Sequence, residues 1–117
     1  MPTVEFLAAY ADAFNRHDLD TIMAAMTSNT VFIPSSNTSI EGQDAVRETF
    51  ADIFACYPDA KWSDASHSVS GNRGVSEWVM TGTDADDGTR MEVRGCDIFT
   101  FENGLIAIKD SYLKSCG

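Results

Sequence analysis

The segment Gly95-Cys96-Asp97-Ile98-Phe99-Thr100-Phe101, followed by Glu102-Asn103-Gly104, decides the fold. Its β-branched and aromatic residues favour a strand, and Asn103-Gly104 is a typical hairpin turn. Because side chains alternate along a strand, Asp97 shares one face with Phe99 and Phe101. Loss of hydration among aromatic rings disfavours a charged carboxylate, which predicts a proton-carrying or hydrogen-bond-donating acid in an apolar pocket. The alternative is an aspartate at a strand end that faces solvent or a turn.

The remainder of the second half has the same alternating character. Strands are predicted over 60–70, 74–83, 89–101 and 105–114. The turns between them are predicted at Gly71-Asn72, Asp86-Asp87-Gly88 and Asn103-Gly104. Successive strands joined by short turns indicate a mostly antiparallel sheet.

The first half has helical periodicity instead. Phe6, Tyr10 and Phe14 recur every four residues, which predicts an amphipathic helix over 3–16 that Thr3 can cap. A short second helix is predicted after Asp18, then a strand over 30–33, a loop over 35–39, and a third helix that Gly42 opens and Pro58 ends. Helices followed by a sheet indicate an α+β fold. Three helices packed across one face of a curved sheet would enclose a cavity that is open at one end.

Composition limits the classes of partner. The chain has 117 residues, predicted to form a single domain over 1–117, and carries a net charge of −10. Such a charge repels nucleic acid and anionic membranes, so neither is expected as a partner. The cysteines lack Cys-x-x-Cys spacing and no phosphate-binding glycine motif is present, so no metal and no cofactor is expected. An acidic N-terminus without a long apolar run favours the cytoplasm.

Four segments occur in an order that is typical of one superfamily. They are YADAFNRHDLD at 10–20, IEGQDAVRETF at 40–50, EWVMTGT at 77–83 and GCDIFTFENGLI at 95–106. On these segments, which extend over most of its length, the chain resembles the nuclear transport factor 2-like superfamily, in its SnoaL-like polyketide cyclase branch. The resemblance implies a cone-shaped α+β domain, an internal ligand pocket and a homodimer.

The chain is also similar to ketosteroid isomerase, a related enzyme, in part of its site. The similarity places that enzyme's helix-one tyrosine on Tyr10 and its protonated strand aspartate on Asp97, which implies an oxyanion-binding pair. The related general base, a carboxylate before a proline, is replaced by Ile33. Asp84 and Ser111 stand where many cyclase relatives have a histidine and an aspartate. Steroid isomerisation is therefore not expected.

The predicted binding residues are the apolar wall of the pocket and two polar residues of the last strand. They are Phe14, Phe54, Tyr57, Trp78, Met80, Phe99, Phe101, Lys109 and Ser111. For each aromatic residue, a place in the packed core is the alternative. An inward Lys109 would pair with Asp97, but a lysine that extends to the mouth of the cone is favoured.

Other side chains are predicted to lie outside the pocket. His17 in a turn between helices and His67 on an edge strand are expected to be exposed. Cys96 has the opposite parity to Asp97 and is expected on the outer face of the sheet. That face is predicted to carry an apolar dimer patch formed by Ile98, Ile106, Ile108 and Tyr112.

These observations lead to two functional hypotheses. The first is an isomerase- or cyclase-like protein for a small, largely apolar carbonyl compound, with Asp97 moving a proton and Tyr10 stabilising the oxyanion. The second is a non-catalytic ligand-binding or dimerisation module on the same scaffold. Retention or loss of turnover on Asp97→Asn, with the fold intact, separates them.

Overall fold

Three helices pack against a six-stranded sheet in the computed structural model of the protein, which describes residues 2–114. Cys116 lies outside the described residues. The helices are α1 (Val4–Asn15), α2 (Leu19–Ala24) and α3 (Gln43–Cys56). The strands are β1 (Met26–Ile33), β2 (Ile40–Glu41), β3 (Lys61–Ser70), β4 (Arg73–Thr83), β5 (Arg90–Glu102) and β6 (Leu105–Leu113). The predicted α+β class is confirmed.

The first two helices begin where their capping residues predict. Thr3 Oγ1 accepts a hydrogen bond from Phe6 N at 3.0 Å, and Asp18 Oδ1 accepts one from Thr21 N at 3.2 Å. Each bond satisfies an amide that has no partner within its helix. No helix within the described part of the chain is long and apolar enough to cross a membrane.

The sheet has the strand order β2-β1-β6-β5-β4-β3. All pairs are antiparallel except β1 and β6, which run parallel because β1 enters from the helical half of the chain. β1 begins four residues before the predicted strand over 30–33. The two-residue β2 was not predicted, since so short a strand shows no alternation.

The core lies between the sheet and the helices. α1 contributes four buried side chains to it and α3 contributes three. The buried hydrophobic cluster consists of Leu7, Tyr10, Ala13, Phe14, Ile22, Met23, Met26, Phe32, Val46, Phe50, Phe54, Phe99, Phe101 and Ile106. Aromatic rings dominate this layer, and several meet edge to face.

A β-bulge in β6 determines which of its side chains point inward. Lys109 pairs with Phe99, whereas Ile106 pairs with Phe101, so Ala107 is the extra residue between the two registers. Thr30 Oγ1, at 3.1 Å from Ile106 O and 3.2 Å from Ala107 O, donates to the bulged backbone. Two residues of opposite parity, Ile106 and Lys109, therefore both face the helices.

The bulge corrects the predicted outer patch. Ile106 was expected on the outer face, but its exposed fraction is 0% and it belongs to the core. The strict alternation assumed for β6 fails at Ala107, which reverses the facing of every residue before it. The outer face retains Ile98, Ile108 and Tyr112, and Tyr112 is 53% exposed.

Candidate functional site

A cavity of about 250 Å³ lies between the helices and the inner face of the sheet. Most of its wall is apolar, with three polar side chains in addition to Ser35. The lining residues are Phe14, Phe32, Pro34, Ser35, Phe50, Ile53, Tyr57, Trp62, Trp78, Met80, Met91, Val93, Asp97, Lys109, Ser111 and Leu113. An apolar hollow with a few convergent polar groups is the usual form of a small-molecule site.

Asp97 lies on β5 at the polar end of this cavity and is 5% exposed. Its Oδ2 accepts a hydrogen bond from the Trp78 indole Nε1 at 3.0 Å. Lys109 Nζ lies 3.5 Å from the same oxygen. The Ser111 hydroxyl bonds to Oδ1, because Ser111 is the cross-strand partner of Asp97 on β6.

These contacts change the role that the sequence assigned to Asp97. The prediction of a buried position beside Phe99 is confirmed, since both side chains lie on the inner face. An indole N–H and an ammonium can only donate, so Oδ2 must accept from both. Towards Trp78 and Lys109, Oδ2 is therefore an acceptor and not the hydrogen-bond donor that the sequence predicted. The pairing with Lys109 matches the alternative stated for that residue, whereas the hydrogen bonds from Trp78 and Ser111 were not predicted.

Lys109 is buried, with an exposed fraction of 6%. Its Nζ lies 3.9 Å from the ring centroid of Phe14 and 4.7 Å from that of Tyr10. Phe50 and Phe99 complete an aromatic enclosure at 5.5 and 5.6 Å. The favoured prediction of a lysine that extends to the mouth is wrong, because Lys109 is the cross-strand partner of the inward Phe99 and its ammonium reaches Asp97.

The surroundings of Lys109 act on its pKa in opposite directions. Burial lowers the pKa of the Lys109 amine, because the charged form loses its hydration. The adjacent Asp97 carboxylate opposes this by favouring the ammonium. The net direction is downward, so the free amine is accessible at a lower pH than in an exposed lysine.

Tyr10 contributes a buried hydroxyl beside the ion pair. Lys109 Nζ donates to Tyr10 Oη at 3.4 Å, and Tyr10 Oη lies 3.7 Å from Met26 Sδ. Burial, and secondarily the negative charge of Asp97, raise the pKa of Tyr10 well above its ordinary value. The phenol therefore stays protonated. Tyr10 does not line the large cavity, so it reaches a ligand only through Lys109.

A second, small cavity of about 30 Å³ adjoins the same ion pair on the side of α1 and β3. Asp97, Lys109 and Tyr10 line it together with His67 and Ser76. His67 Nδ1 lies 2.7 Å from Ser76 Oγ, and burial lowers the pKa of His67. The space is sufficient for a water molecule among polar partners.

Both histidines differ from their predicted exposure. His67 is half-buried, and its ring contacts Ser76, its cross-strand partner on β4. His17 is also half-buried, since its ring stacks on Phe54 at 4.2 Å and Nε2 lies 3.0 Å from Ala60 O. His17 is thus a packing residue, whereas His67 borders the small cavity.

The predicted wall residues divide between the cavities and the core. Those that line the large cavity are Phe14, Tyr57, Trp78, Met80, Lys109 and Ser111. Phe99 reaches only the small cavity. Phe54 packs against Phe14 and Trp62, and Phe101 packs against Phe6, so both have the core position that was their alternative.

Sequence reasoning missed several wall residues. Met91 and Val93 have the same parity as Asp97 on β5, and this parity was the signal that could have identified them. Trp62 is positioned by Asn15, whose amide accepts from Trp62 N at 2.7 Å and donates to Trp62 O at 3.0 Å. No sequence pattern links residues 47 positions apart.

Gly95 allows Trp78 to reach Asp97. The two residues are cross-strand partners, and a Cβ at position 95 would lie 2.7 Å from Trp78 Cη2. The same Cβ would lie 2.5 Å from the backbone oxygen of Tyr112. That oxygen belongs to the main chain of β6 and cannot move unless the strand shifts. The absence of a side chain at Gly95 therefore lets the indole lie across β5.

We expect Gly95→Ala to lower the free energy of unfolding by about 1–3 kcal/mol, the usual cost of forcing extra atoms into a packed site. The indole should move away from Asp97. Denaturant unfolding measures the first effect. The emission of Trp78, recorded in a Trp62→Phe background, measures the second. Cys96→Ala, on the opposite face of β5, is the control; an unchanged emission in Gly95→Ala would contradict the assignment.

Cation ligation has little support at this site. Among residues 2–114, no group of three His, Cys, Asp or Glu side chains converges as a metal site would require. The acidic turn at 84–88 forms hydrogen bonds to its own backbone instead.

Cys96 lies half-exposed on the outer face, where partial burial raises the pKa of its thiol.

Comparison with known proteins identifies the family. The model of the SnoaL-like domain matches residues 7–108, which include most of α1 and all of α3 and β5. The chain belongs to the SnoaL-like domain family. No curated protein matches the sequence.

Solved structures share the fold of this SnoaL-like domain. A candidate polyketide cyclase from Pseudomonas putida KT2440 has a TM-score of 0.88 and 21% identity, over 96% of this chain and 91% of that one. A candidate polyketide cyclase from Xanthomonas campestris pv. campestris has a TM-score of 0.85 and 21% identity. The match covers 92% of this chain and 87% of that one.

A third structure has the same fold and contains a ligand. It is a hypothetical protein with a ketosteroid isomerase-like fold from Catenulispora acidiphila, in complex with trimethylamine. Its TM-score is 0.84 at 14% identity, over 94% of this chain and 85% of that one. At these identities the likeness concerns the fold alone, and the predicted resemblance is confirmed by the match to the SnoaL-like domain.

Proposed function

We propose that this SnoaL-like domain binds a small, largely apolar carbonyl compound in the large cavity and catalyses proton transfer next to that carbonyl. The observation that carries the proposal is the position of the Lys109–Asp97 pair at one end of an otherwise apolar cavity. A ligand with apolar bulk and one oxygen acceptor would match both parts of this site.

The chemistry follows from the two charges. The Lys109 ammonium would donate to the carbonyl oxygen and stabilise the negative charge that develops as an enolate forms. The Asp97 carboxylate, 3.5 Å from Nζ, would take the proton from the adjacent carbon. Tyr10 is a positioning residue in this scheme, because its hydroxyl accepts from Lys109. The candidate polyketide cyclases of the same fold have a name that fits reactions of carbon acids.

Hydrogen–deuterium exchange tests this proposal without knowledge of the natural substrate. β-Tetralone, an aromatic ketone with acidic α-hydrogens, is incubated with the protein in D₂O and followed by NMR. We expect saturable acceleration by the native chain. In Asp97→Asn the exchange rate should fall close to the rate in buffer alone, because the side-chain amide of asparagine cannot act as a base in neutral solution.

A matched variant controls for the charge change. Glu92→Gln alters an exposed carboxylate of the same strand and should retain full exchange. Asparagine fits position 97, since its oxygen can face Trp78 and its amide can donate to Ser111. Equal exchange rates in Asp97→Asn and Glu92→Gln would contradict the catalytic role of Asp97.

A non-catalytic binding module is the second candidate function. It is favoured by one observation. The Asp97 carboxylate contacts three side chains, Trp78, Ser111 and Lys109, so few of its lone pairs are free to take a proton from a ligand. In that case β-tetralone would quench tryptophan emission saturably but would not exchange its α-hydrogens faster than in buffer.

We also propose that the protein forms a homodimer through the outer face of the sheet. Tyr112 is 53% exposed there, and Ile98 and Ile108 lie half-buried beside it. Sedimentation equilibrium tests this assignment. We expect a dimer for the native chain, and a shift towards monomer when Ile108→Glu places a charge in the patch.

A further inference from the structure

We propose that the Lys109 amine is a nucleophile that forms a reversible imine with small apolar aldehydes and ketones. The inference rests on the proposed function, because it concerns the same cavity and the same class of ligand. It goes further by assigning a covalent step to a residue that would otherwise act only as a charge.

The position of Nζ supports nucleophilic attack. Lys109 lines both the large cavity and the small one, although its side chain is only 7% exposed. A bound carbonyl compound would therefore meet the amine in surroundings from which bulk water is largely excluded. Desolvation in an apolar pocket is one of the ways in which a lysine becomes nucleophilic.

The groups around Nζ can manage the protons of the reaction. Asp97 Oδ2 at 3.5 Å can take a proton from the ammonium and return it later. The Tyr10 hydroxyl at 3.4 Å can hold the amine in place. The rings of Phe14 and Tyr10, with centroids at 3.9 and 4.7 Å, stabilise a cation at Nζ. An iminium ion at Nζ would keep both the ion pair and these ring contacts.

The step balances without an oxidant or a reductant. The Lys109 ammonium gives one proton to Asp97, and the nitrogen lone pair attacks the carbonyl carbon. The carbonyl π electrons move to oxygen, which receives a proton from the attacking nitrogen. Asp97 then returns its proton to this hydroxyl, the C–O bond breaks, and water leaves as the C=N bond forms. The small cavity beside Asp97 and His67 is large enough to receive that water.

The other lysines provide internal controls. Lys61 on β3 and Lys114 after β6 are exposed. They have access to the same reagents but lack the aromatic enclosure and the paired carboxylate. Any preference for Lys109 must therefore come from the site and not from lysine chemistry in general.

Reductive trapping tests the proposal. The protein is incubated with benzaldehyde and sodium cyanoborohydride, and peptides are mapped by mass spectrometry for a benzyl group on each lysine. Benzaldehyde has no α-hydrogen, so it reports imine formation alone. Below neutral pH we expect more adduct on Lys109 than on Lys61 or Lys114, since burial lowers the pKa of Lys109 and so enlarges its free amine fraction.

Each outcome bears on the proposal. Preferential modification of Lys109 that β-tetralone suppresses supports it. Modification confined to Lys61 and Lys114 overturns it, and no folding of a variant is needed for that result. If Lys109 is not modified but the native protein still accelerates exchange of the α-hydrogens of β-tetralone, only the imine proposal fails. If exchange and saturable binding are also absent, the proposed function fails too. A Lys61→Met variant should retain the adduct on Lys109.

Discussion

Asp97→Ala should lower the free energy of unfolding by about 3–5 kcal/mol, because it leaves a buried charge without its partner. The Lys109 ammonium is 6% exposed and has one carboxylate within 4 Å. In the variant the aromatic rings remain, but a ring face stabilises a cation less than a carboxylate does. Urea unfolding monitored by circular dichroism measures the loss.

A double variant separates the pair from the packing around it. Asp97→Leu with Lys109→Met replaces both charges by apolar side chains of similar size, so it should recover most of the stability lost in Asp97→Ala. Glu92→Ala, which removes an exposed carboxylate from the same strand, should change stability little. A large loss in the double variant and a small one in Asp97→Ala would contradict the buried ion pair.

The same variant should depend on pH in a definite direction. Burial already lowers the pKa of Lys109, and Asp97 opposes that effect. Without Asp97 the pKa of Lys109 falls further below the ordinary lysine value of about 10.4. At a pH between the pKa of Lys109 in the folded variant and that in the unfolded chain, the unfolded chain binds more protons. The free energy of unfolding of the variant therefore rises with pH in this range. The deficit of Asp97→Ala relative to native protein should therefore be smaller in alkaline than in neutral solution.

The sequence predicted the elements well where local patterns are strong. Thr3 and Asp18 mark the starts of α1 and α2, and alternation on β5 places Asp97 and Phe99 on one inner face. These predictions need only neighbouring residues. The resemblance to the superfamily then supplied the arrangement of the elements, which local patterns do not determine.

The inward position of Ile106 could not be predicted in the same way. On an unbroken strand Ile106 and Lys109 point to opposite faces, so an inward Lys109 would leave Ile106 outside. The bulge at Ala107 allows both to face inward, and its partner Thr30 lies 76 residues from Ile106 in the chain. A bulge that depends on a distant hydroxyl has no local signal in β6.

The polar contacts of the site depend on distant pairs as well. Trp78 was predicted to be a wall residue because its ring is large and apolar. Its indole N–H nevertheless donates from β4 to Asp97 on the neighbouring strand β5. That contact requires Gly95 to lack a side chain. Spacing within β4 or β5 alone cannot show it, since only the register between the strands brings the three residues together.

The Lys109–Asp97 ion pair and the aromatic rings around it distinguish this site from a simple hydrophobic core. In a simple core, both members of a buried ion pair could be replaced by well-packed apolar residues at little cost to stability. Lys109 and Asp97 instead occupy the polar end of the large cavity, where a ligand can reach both. This position is the observation on which the proposed function rests.

Phe99→Ala should destabilise the protein by about 3–5 kcal/mol, since it removes a buried aromatic ring and leaves a void. Phe99 is 1% exposed. Its ring meets Tyr10 edge to face at 5.7 Å and stacks on Phe101 at 6.2 Å. The substitution also removes one wall of the enclosure around Lys109 Nζ, at 5.6 Å.

The neighbouring residue Ile98 provides the matched control on the opposite face of β5. It is only half-buried, so Ile98→Ala should cost about 1 kcal/mol, in proportion to the smaller apolar area that it buries. Guanidinium unfolding of both variants at low protein concentration measures the difference. Because alternation assigns Phe99 to the core and Ile98 to the outer face, a larger loss for Ile98→Ala would contradict the facing of β5. That facing also directs Asp97 into the cavity, so the same experiment tests the orientation on which the candidate site depends.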